Sequence, residues 1–205
     1  MTVLGNIGLR VLAALALSAA CVGPAFAAEI RSSVVAADLL EEKLTSEGLY
    51  LSSSDAAAAL EADPGIVFLD VRDPSEINFV GHPTPIDAIV PVEFATLEFD
   101  AKKGAYKMAL NSDFVAQANA IVARENADKD SPIFVMCRSG GRSAAAVEVL
   151  AKAGYTNVWT LVEGFEGDKD TAGVRSTNGW RNAGLPWTYK LTADQAWMPK
   201  EDAPN

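Results

Sequence analysis

Short continuous apolar runs alternate along the chain with stretches of helical spacing. Ile66-Val67-Phe68-Leu69, Ile133-Phe134-Val135-Met136 and Val158-Trp159-Thr160-Leu161 are rich in β-branched and aromatic residues, the pattern of strands buried on both faces. Ile89-Val90 is a shorter strand of the same kind. Apolar residues at 35, 36, 39, 40 and 44 follow the spacing of one helix face, with Gly48 to stop it. Ser54-Asp55 caps an alanine-rich helix running to Glu61, and Asp63-Pro64-Gly65 makes the turn into the first strand. Asn111-Ser112-Asp113 caps a helix reaching about Glu125, with Phe114, Val115, Ala118, Ile121 and Val122 along one side. A further helix spans 143–153 and is closed by Gly154. Strands alternating with helices predict an α/β fold with a central, mostly parallel sheet flanked by helices. Residues 93–107 and 166–178 are weakly patterned and longer than a median loop of about 4–6 residues, so they read as excursions near the functional end or as decoration. The stretch from Asp194 onward, with two prolines and scattered charge, reads as a loosely held tail.

The amino terminus follows a different grammar. Arg10 is the only charge before an uncharged stretch over 11–28, which opens Val11-Leu12-Ala13-Ala14-Leu15-Ala16-Leu17 and ends Ala25-Phe26-Ala27-Ala28. A positive end, an apolar centre and small residues at a cleavage position predict an export signal removed after Ala27, and hence a periplasmic protein. A membrane anchor is the weaker reading, because the run is mostly alanine, is broken by Gly23-Pro24, and barely reaches the roughly 18–20 residues needed to span. Leu17-Ser18-Ala19-Ala20-Cys21 is similar to a lipoprotein box, but Ser18 stands where that box has leucine. The chain is thus divided into a signal (1–27), a helical extension (28–49), one domain (50–190) and a tail (191–205). Cleavage leaves Cys137 as the only cysteine, so no internal disulfide forms, and a lone thiol in an oxidising compartment is either buried and inert or reactive.

Composition narrows the partners. The 205 residues are 49% hydrophobic and 21% charged, values of an ordinary globular protein. A net charge of −10 argues against nucleic acid, whose binding is driven by clustered Lys and Arg. No stable membrane association is expected once the signal is removed.

Chemistry concentrates after the second buried strand, in Cys137-Arg138-Ser139-Gly140-Gly141-Arg142-Ser143. A strand runs into a short glycine-containing loop and then a helix, and open α/β sheets bind ligands at the carboxyl ends of their strands. A helix start and neighbouring guanidinium groups favour the thiolate, the nucleophilic form of cysteine. Gly140 and Gly141 allow successive backbone N–H groups of 139–143 to face one centre and form an anion nest around the sulfur. A purely structural cysteine is the plain alternative, and the two arginines and two glycines that follow argue against it. There is no Gly-x-x-x-x-Gly-Lys phosphate cradle, and one cysteine with one histidine cannot make a zinc site, so neither a metal nor another cofactor is expected.

These residues resemble the rhodanese-like sulfurtransferases over about residues 50–190. Leu69-Asp70-Val71-Arg72 is similar to the family's opening strand motif, and Glu76 with Gly81-His82 to its next. Cys137 to Ser143 matches the active loop, cysteine first and arginine sixth, and Gly164-Phe165, Gly179-Trp180 and Ala183-Gly184-Leu185-Pro186 match the closing motif. Two departures stand out: Gly81-His82-Pro83-Thr84-Pro85-Ile86-Asp87-Ala88 replaces Gly-His-Ile-Pro-Gly-Ala, and 166–178 is inserted before Trp180.

The resemblance implies a sulfurtransferase in which Cys137 takes sulfane sulfur from a small anionic donor such as thiosulfate and passes it from a persulfide to cyanide, a thiol or a sulfur-accepting protein. Arg138 and Arg142 would orient the donor, and Ser139, Gly140, Gly141 and Ser143 would bind it through the loop backbone. Asp70 and Arg72, two apart at a strand end, point the same way and read as a brace, and His82 between Gly81 and Pro83 as a turn residue. Trp180 and Trp187 read as lid or core packing. The stretch Asp168-Lys169-Asp170-Thr171-Ala172-Gly173 is no calcium loop, because Ala172 occupies a ligand position and Gly179 stands where the closing Glu belongs. Two rivals remain: a cysteine-dependent phosphatase or arsenate reductase, whose loop holds five residues between Cys and Arg where this one holds four, and a non-catalytic sulfur carrier for one partner.

Overall fold

The computed structural model describes residues 29–198. The predicted export signal and residues 199–205 lie outside them. In chain order the elements are β1 (Tyr50–Leu51), α1 (Ser53–Ala62), β2 (Val67–Asp70), α2 (Pro74–Val80), β3 (His82–Pro83), β4 (Ala88–Ile89), β5 (Glu93–Asp100), β6 (Ala105–Leu110), α3 (Phe114–Arg124), β7 (Ile133–Met136), α4 (Gly141–Lys152), β8 (Val158–Leu161) and β9 (Trp187–Thr188).

Five strands form the main sheet in the order β1-β8-β7-β2-β4, and every pairing in it is parallel. A parallel sheet is covered on both faces, which is why its inner strands are unbroken apolar runs and not alternating ones. Alternate side chains still divide between two layers. Val67, Leu69, Ile133, Val135 and Val158 pack with Phe114, Ala118 and Val122 of α3 and Ala146, Val147 and Leu150 of α4. Phe68, Phe134, Met136 and Leu161 face the other way, toward Ala56 of α1, Ile77 of α2, Phe165 and Trp180. The α/β fold with a parallel sheet flanked by helices is therefore the one the pattern predicts.

Local differences have physical causes. Residues 35–44 form two 3-10 turns, Ala36–Asp38 and Glu41–Lys43, in place of one helix. Val35, Leu40 and Leu44 remain exposed among the described residues, and a short helix without tertiary packing is marginal in water. The residue buried there is Lys43. Helix α1 begins two residues earlier than expected because Ser52, not Ser54, is its cap, in a reciprocal capping box with Asp55. Helix α2 has a clear start signal that periodicity missed: Asp73-Pro74-Ser75-Glu76 forms a capping box with Pro in the first turn. Residues 93–107 are an excursion with regular structure of its own. They belong to an antiparallel hairpin of β5 and β6, irregular between Ala95 and Phe99.

Residues 194–198 are tied down, contrary to the expected loose tail. Gln195 accepts the Ile89 N–H at 2.8 Å and donates its side-chain amide to Ile86 O at 2.8 Å, while Trp197 Nε1 donates to Gln117 at 3.0 Å. The segment occupies the open hydrogen-bonding edge beyond β4, a site that otherwise invites association.

Candidate active site

Strand β7 lies in the middle of the sheet, and Cys137 follows its last residue. The chain then turns sharply through Gly140, at φ 102°, into α4. Only glycine suits this corner. The conformation is left-handed, and a Cβ here would stand 2.3 Å from Val162 O. The turn brings the Gly140 N–H back onto Cys137 Sγ at 3.2 Å. Gly141, Arg142 and Ser143 form the first turn of α4, whose N–H groups have no intrahelical acceptor.

The hydroxyls below the sulfur form a chain. Cys137 Sγ lies 3.5 Å from Ser143 Oγ, Ser143 Oγ donates to Gly140 O at 2.9 Å, and Thr160 Oγ1 donates to Ser143 Oγ at 2.9 Å. All three side chains are buried. Ser143 thus contributes its side chain, whereas sequence reasoning gave it only a backbone role. Thr160 was missed entirely, since a threonine inside an apolar strand run carries no local mark of its partner.

A second segment cradles the loop backbone. Phe165 N–H donates to Cys137 O at 2.8 Å, and the N–H groups of Glu166 and Gly167 donate to Arg138 O at 3.0 and 3.2 Å. Gly164, at φ 64°, permits this approach: a Cβ would lie 2.5 Å from both Arg138 C and Ser139 N. Lys43 packs its stem against Gly140 and pairs with Asp168 at 2.8 Å, so the 28–49 extension and the 166–178 insertion meet across the loop.

The expected supporting residues brace this cradle from beneath. Arg72 and Asp70 form a fully buried pair, with Nε 2.9 Å from Oδ1, and Arg72 Nη2 donates to Gly81 O at 2.8 Å. The guanidinium sits over the Phe165 ring, 4.4 Å from its centre. Trp180 is core: it packs on Phe68 with ring centres 5.5 Å apart, donates Nε1 to Pro186 O, and bonds its backbone N–H to Gly164 O at 2.9 Å. His82 is buried in the β3 and β9 ribbon, its ring nitrogens bonded to the carbonyls of Pro83 and Lys190. These residues hold the loop or the fold, and none touches the sulfur.

Beside the loop lies a cleft of about 310 Å³ lined by Glu76, Glu93, Ala95, Met108, Arg138 and Arg142, together with Asp73 and Ser75. Both arginines are engaged. Arg142 makes a two-pronged pair with Glu76 at 2.6 and 2.7 Å, and Arg138 Nε meets Glu166 at 2.5 Å. Burial alone would discharge Glu76 and Arg142, but their mutual hydrogen bonds and attraction outweigh it. The Glu76 carboxyl is held below the usual carboxylate range and the Arg142 guanidinium above its ordinary value. Burial likewise opposes the charge of Asp73, and bonds from Ser75 and Ala95 overcome it, leaving that carboxyl lowered. The arrangement presents a buried cysteine sulfur, backbone N–H groups of the loop and of the first turn of α4 beside it, and a charged cleft next to the loop. Among the described residues no cluster of His, Cys, Asp and Glu is placed to hold a metal ion.

Residues 53–171 match the rhodanese-like domain, and the chain belongs to this family, within the rhodanese sulfurtransferase superfamily. An uncharacterized protein of Rickettsia prowazekii is 30% identical over 139 residues, covering 68% of this chain and 96% of its own length. The thiosulfate sulfurtransferase GlpE of Tolumonas auensis is 30% identical over 115 residues, 56% of this chain and 83% of its own length. A crystal structure of an M. tuberculosis protein superimposes with a TM-score of 0.53 at 31% identity, covering 69% of this chain and 97% of the other.

Proposed function

We propose that this protein is a sulfurtransferase working by double displacement at Cys137. The carrying observation is the sulfur itself, at the end of the central strand, receiving the Gly140 N–H and facing the first turn of α4. The Cys137 thiolate attacks the outer sulfur of a donor such as thiosulfate. The new S–S bond forms as the donor's S–S bond breaks, and sulfite leaves with the electron pair. A thiolate or cyanide then attacks the outer sulfur of the persulfide and returns the electron pair to Cys137. The Gly140 N–H and the open N–H groups of 141–143 stabilise the persulfide anion, and the Ser143 hydroxyl, 3.5 Å from the sulfur, stands beside it while bonded to Gly140 O.

The loop length supports this reading over a phosphatase: four residues separate Cys137 from Arg142, one fewer than in a phosphatase loop. The Arg142 fork is committed to Glu76, so an oxyanion of either kind has to displace that pair to be clasped by it. Replacing Cys137 by Ala is expected to abolish sulfur transfer from thiosulfate to cyanide in a thiocyanate assay. Retained turnover would remove Cys137 from the mechanism.

We also propose that the protein is exported to the periplasm. The Arg10 charge, the apolar centre and Ala25-Phe26-Ala27 support removal of residues 1–27. The intact mass of protein recovered from the periplasm is expected to correspond to a chain beginning at Ala28; a full-length mass would contradict export by a cleaved signal.

A further inference from the structure

The β5 and β6 hairpin carries an apolar face that nothing among the described residues covers. In β6, Tyr106, Met108 and Leu110 alternate and so share one face. Their partners across the ladder place Ala95 and Phe99 on it too, and the Phe99 and Tyr106 rings meet edge to face at 6.2 Å. Leu110 is 79% exposed, Phe99 63%, Tyr106 61%, and Leu97, in the irregular part of β5, 97%. A two-stranded ribbon has little stability of its own in water, and here only its base is anchored, by Phe94 against Trp197 and by the Ala95 N–H bonded to Asp73. The exposed face is continuous with the cleft beside the Cys137 loop, because Ala95 and Met108 line that cleft together with Arg138 and Arg142.

The charge at this mouth selects what lies on the face. Four carboxylates, Asp73, Glu76, Glu93 and Glu166, surround two guanidinium groups, and both of those are paired to Glu76 and Glu166. Asp73 and Glu93 have no ion-pair partner among the described residues, so the mouth is net negative. A second copy of a chain carrying −10 and an anionic lipid surface both meet repulsion there.

Resting on the persulfide reading of Cys137, we propose that the hairpin face and the acidic mouth form one docking surface for a sulfur-exchanging protein. Its reactive cysteine is flanked by Lys or Arg, which meet the carboxylates, and by apolar residues, which cover Phe99 and Tyr106. The partner's thiolate attacks the outer sulfur of the Cys137 persulfide, the new S–S bond forms as the old one breaks, and the electron pair returns to Cys137. No external oxidant or reductant enters.

The test uses the mature chain, loaded with sulfur from inorganic polysulfide, and three acceptors: free cysteine, a peptide with one Cys among Lys, Leu and Phe, and the same peptide with Glu and Ser in those places. Persulfide on each acceptor is trapped by alkylation and counted by mass spectrometry. The basic, apolar peptide is expected to react with about tenfold higher kcat/KM than the acidic one. The double variant Phe99→Ser, Tyr106→Ser is expected to lose most of that preference while transfer to free cysteine stays unchanged. Equal rates for the two peptides on a loaded Cys137, or a preference intact in the double variant, overturn the docking proposal alone. No sulfur on Cys137 overturns the persulfide reading and this inference with it. A dimer in sedimentation that dissociates in the double variant assigns the face to a second copy and also overturns the proposal.

Discussion

The loop from Cys137 to Ser143 and the hairpin from Glu93 to Leu110 stand on either side of one cleft and are built on opposite terms. In the loop, side chains and carbonyls are bonded in series and two glycines, Gly140 and Gly164, allow backbones to approach where no Cβ fits. The hairpin holds its place by its base alone and turns Phe99, Tyr106 and Leu110 to water. The difference separates two tasks. Chemistry on a sulfur atom needs donors fixed in advance, whereas recognition of a macromolecular partner needs exposed area that folding does not consume.

Substitutions can break or sharpen this contrast. The largest structural effect is expected from Gly164→Ala, which drives a Cβ into the backbone of Arg138 and Ser139 at a left-handed position. A loss of about 1–3 kcal/mol in denaturant unfolding, together with a fall of about tenfold or more in kcat, would mark the cradle as necessary to the loop; unchanged turnover would refute its role. Glu76→Gln comes next. It leaves Arg142 facing a neutral amide, and a cost of about 1–3 kcal/mol is expected. Its pH dependence is diagnostic. Because the Glu76 carboxyl is held below its ordinary range, its stabilisation is present above the unfolded value of about 4.3 and is lost as pH falls through the lower folded value. Thermal unfolding midpoints followed from about pH 6 to pH 3 should therefore decline less steeply in the Gln variant, with Asp55 and Asp73, lowered in the same sense, keeping part of the slope.

Lys43→Ala is expected to cost about 1 kcal/mol or less, since its partner Asp168 is partly exposed, and to report whether the two added segments steady the loop. Leu97→Ser, on the hairpin, is expected to change stability by no more than about 0.5 kcal/mol. A larger loss in calorimetry would mean that the hairpin face is internal packing, contrary to its exposure.

How much of this was legible in the sequence follows the same division. The strands β2, β7 and β8 and the loop at Cys137 are written in contiguous residues, because a buried strand is a run and a tight turn needs its glycines locally. The partners that complete the site come from elsewhere in the chain. Glu76 closes on Arg142 across 66 positions, Thr160 reaches Ser143 across 17, and Glu166 meets Arg138 across 28, and no local pattern announces such pairs. The hairpin escaped because its register breaks between Ala95 and Phe99, leaving in β6 only the short alternation of Tyr106, Met108 and Leu110. The extension 35–44 failed in the opposite way: its helical spacing was real, but no surface was available to receive it.

The central claim is that sulfur is carried on Cys137. The intact mass of the mature protein after incubation with thiosulfate and removal of excess donor tests it directly. The expected result is a mass increase of one sulfur atom that disappears with a reducing thiol and is absent from Cys137→Ser. A wild-type protein that gains no sulfur, or a serine variant that gains it equally, would contradict the account.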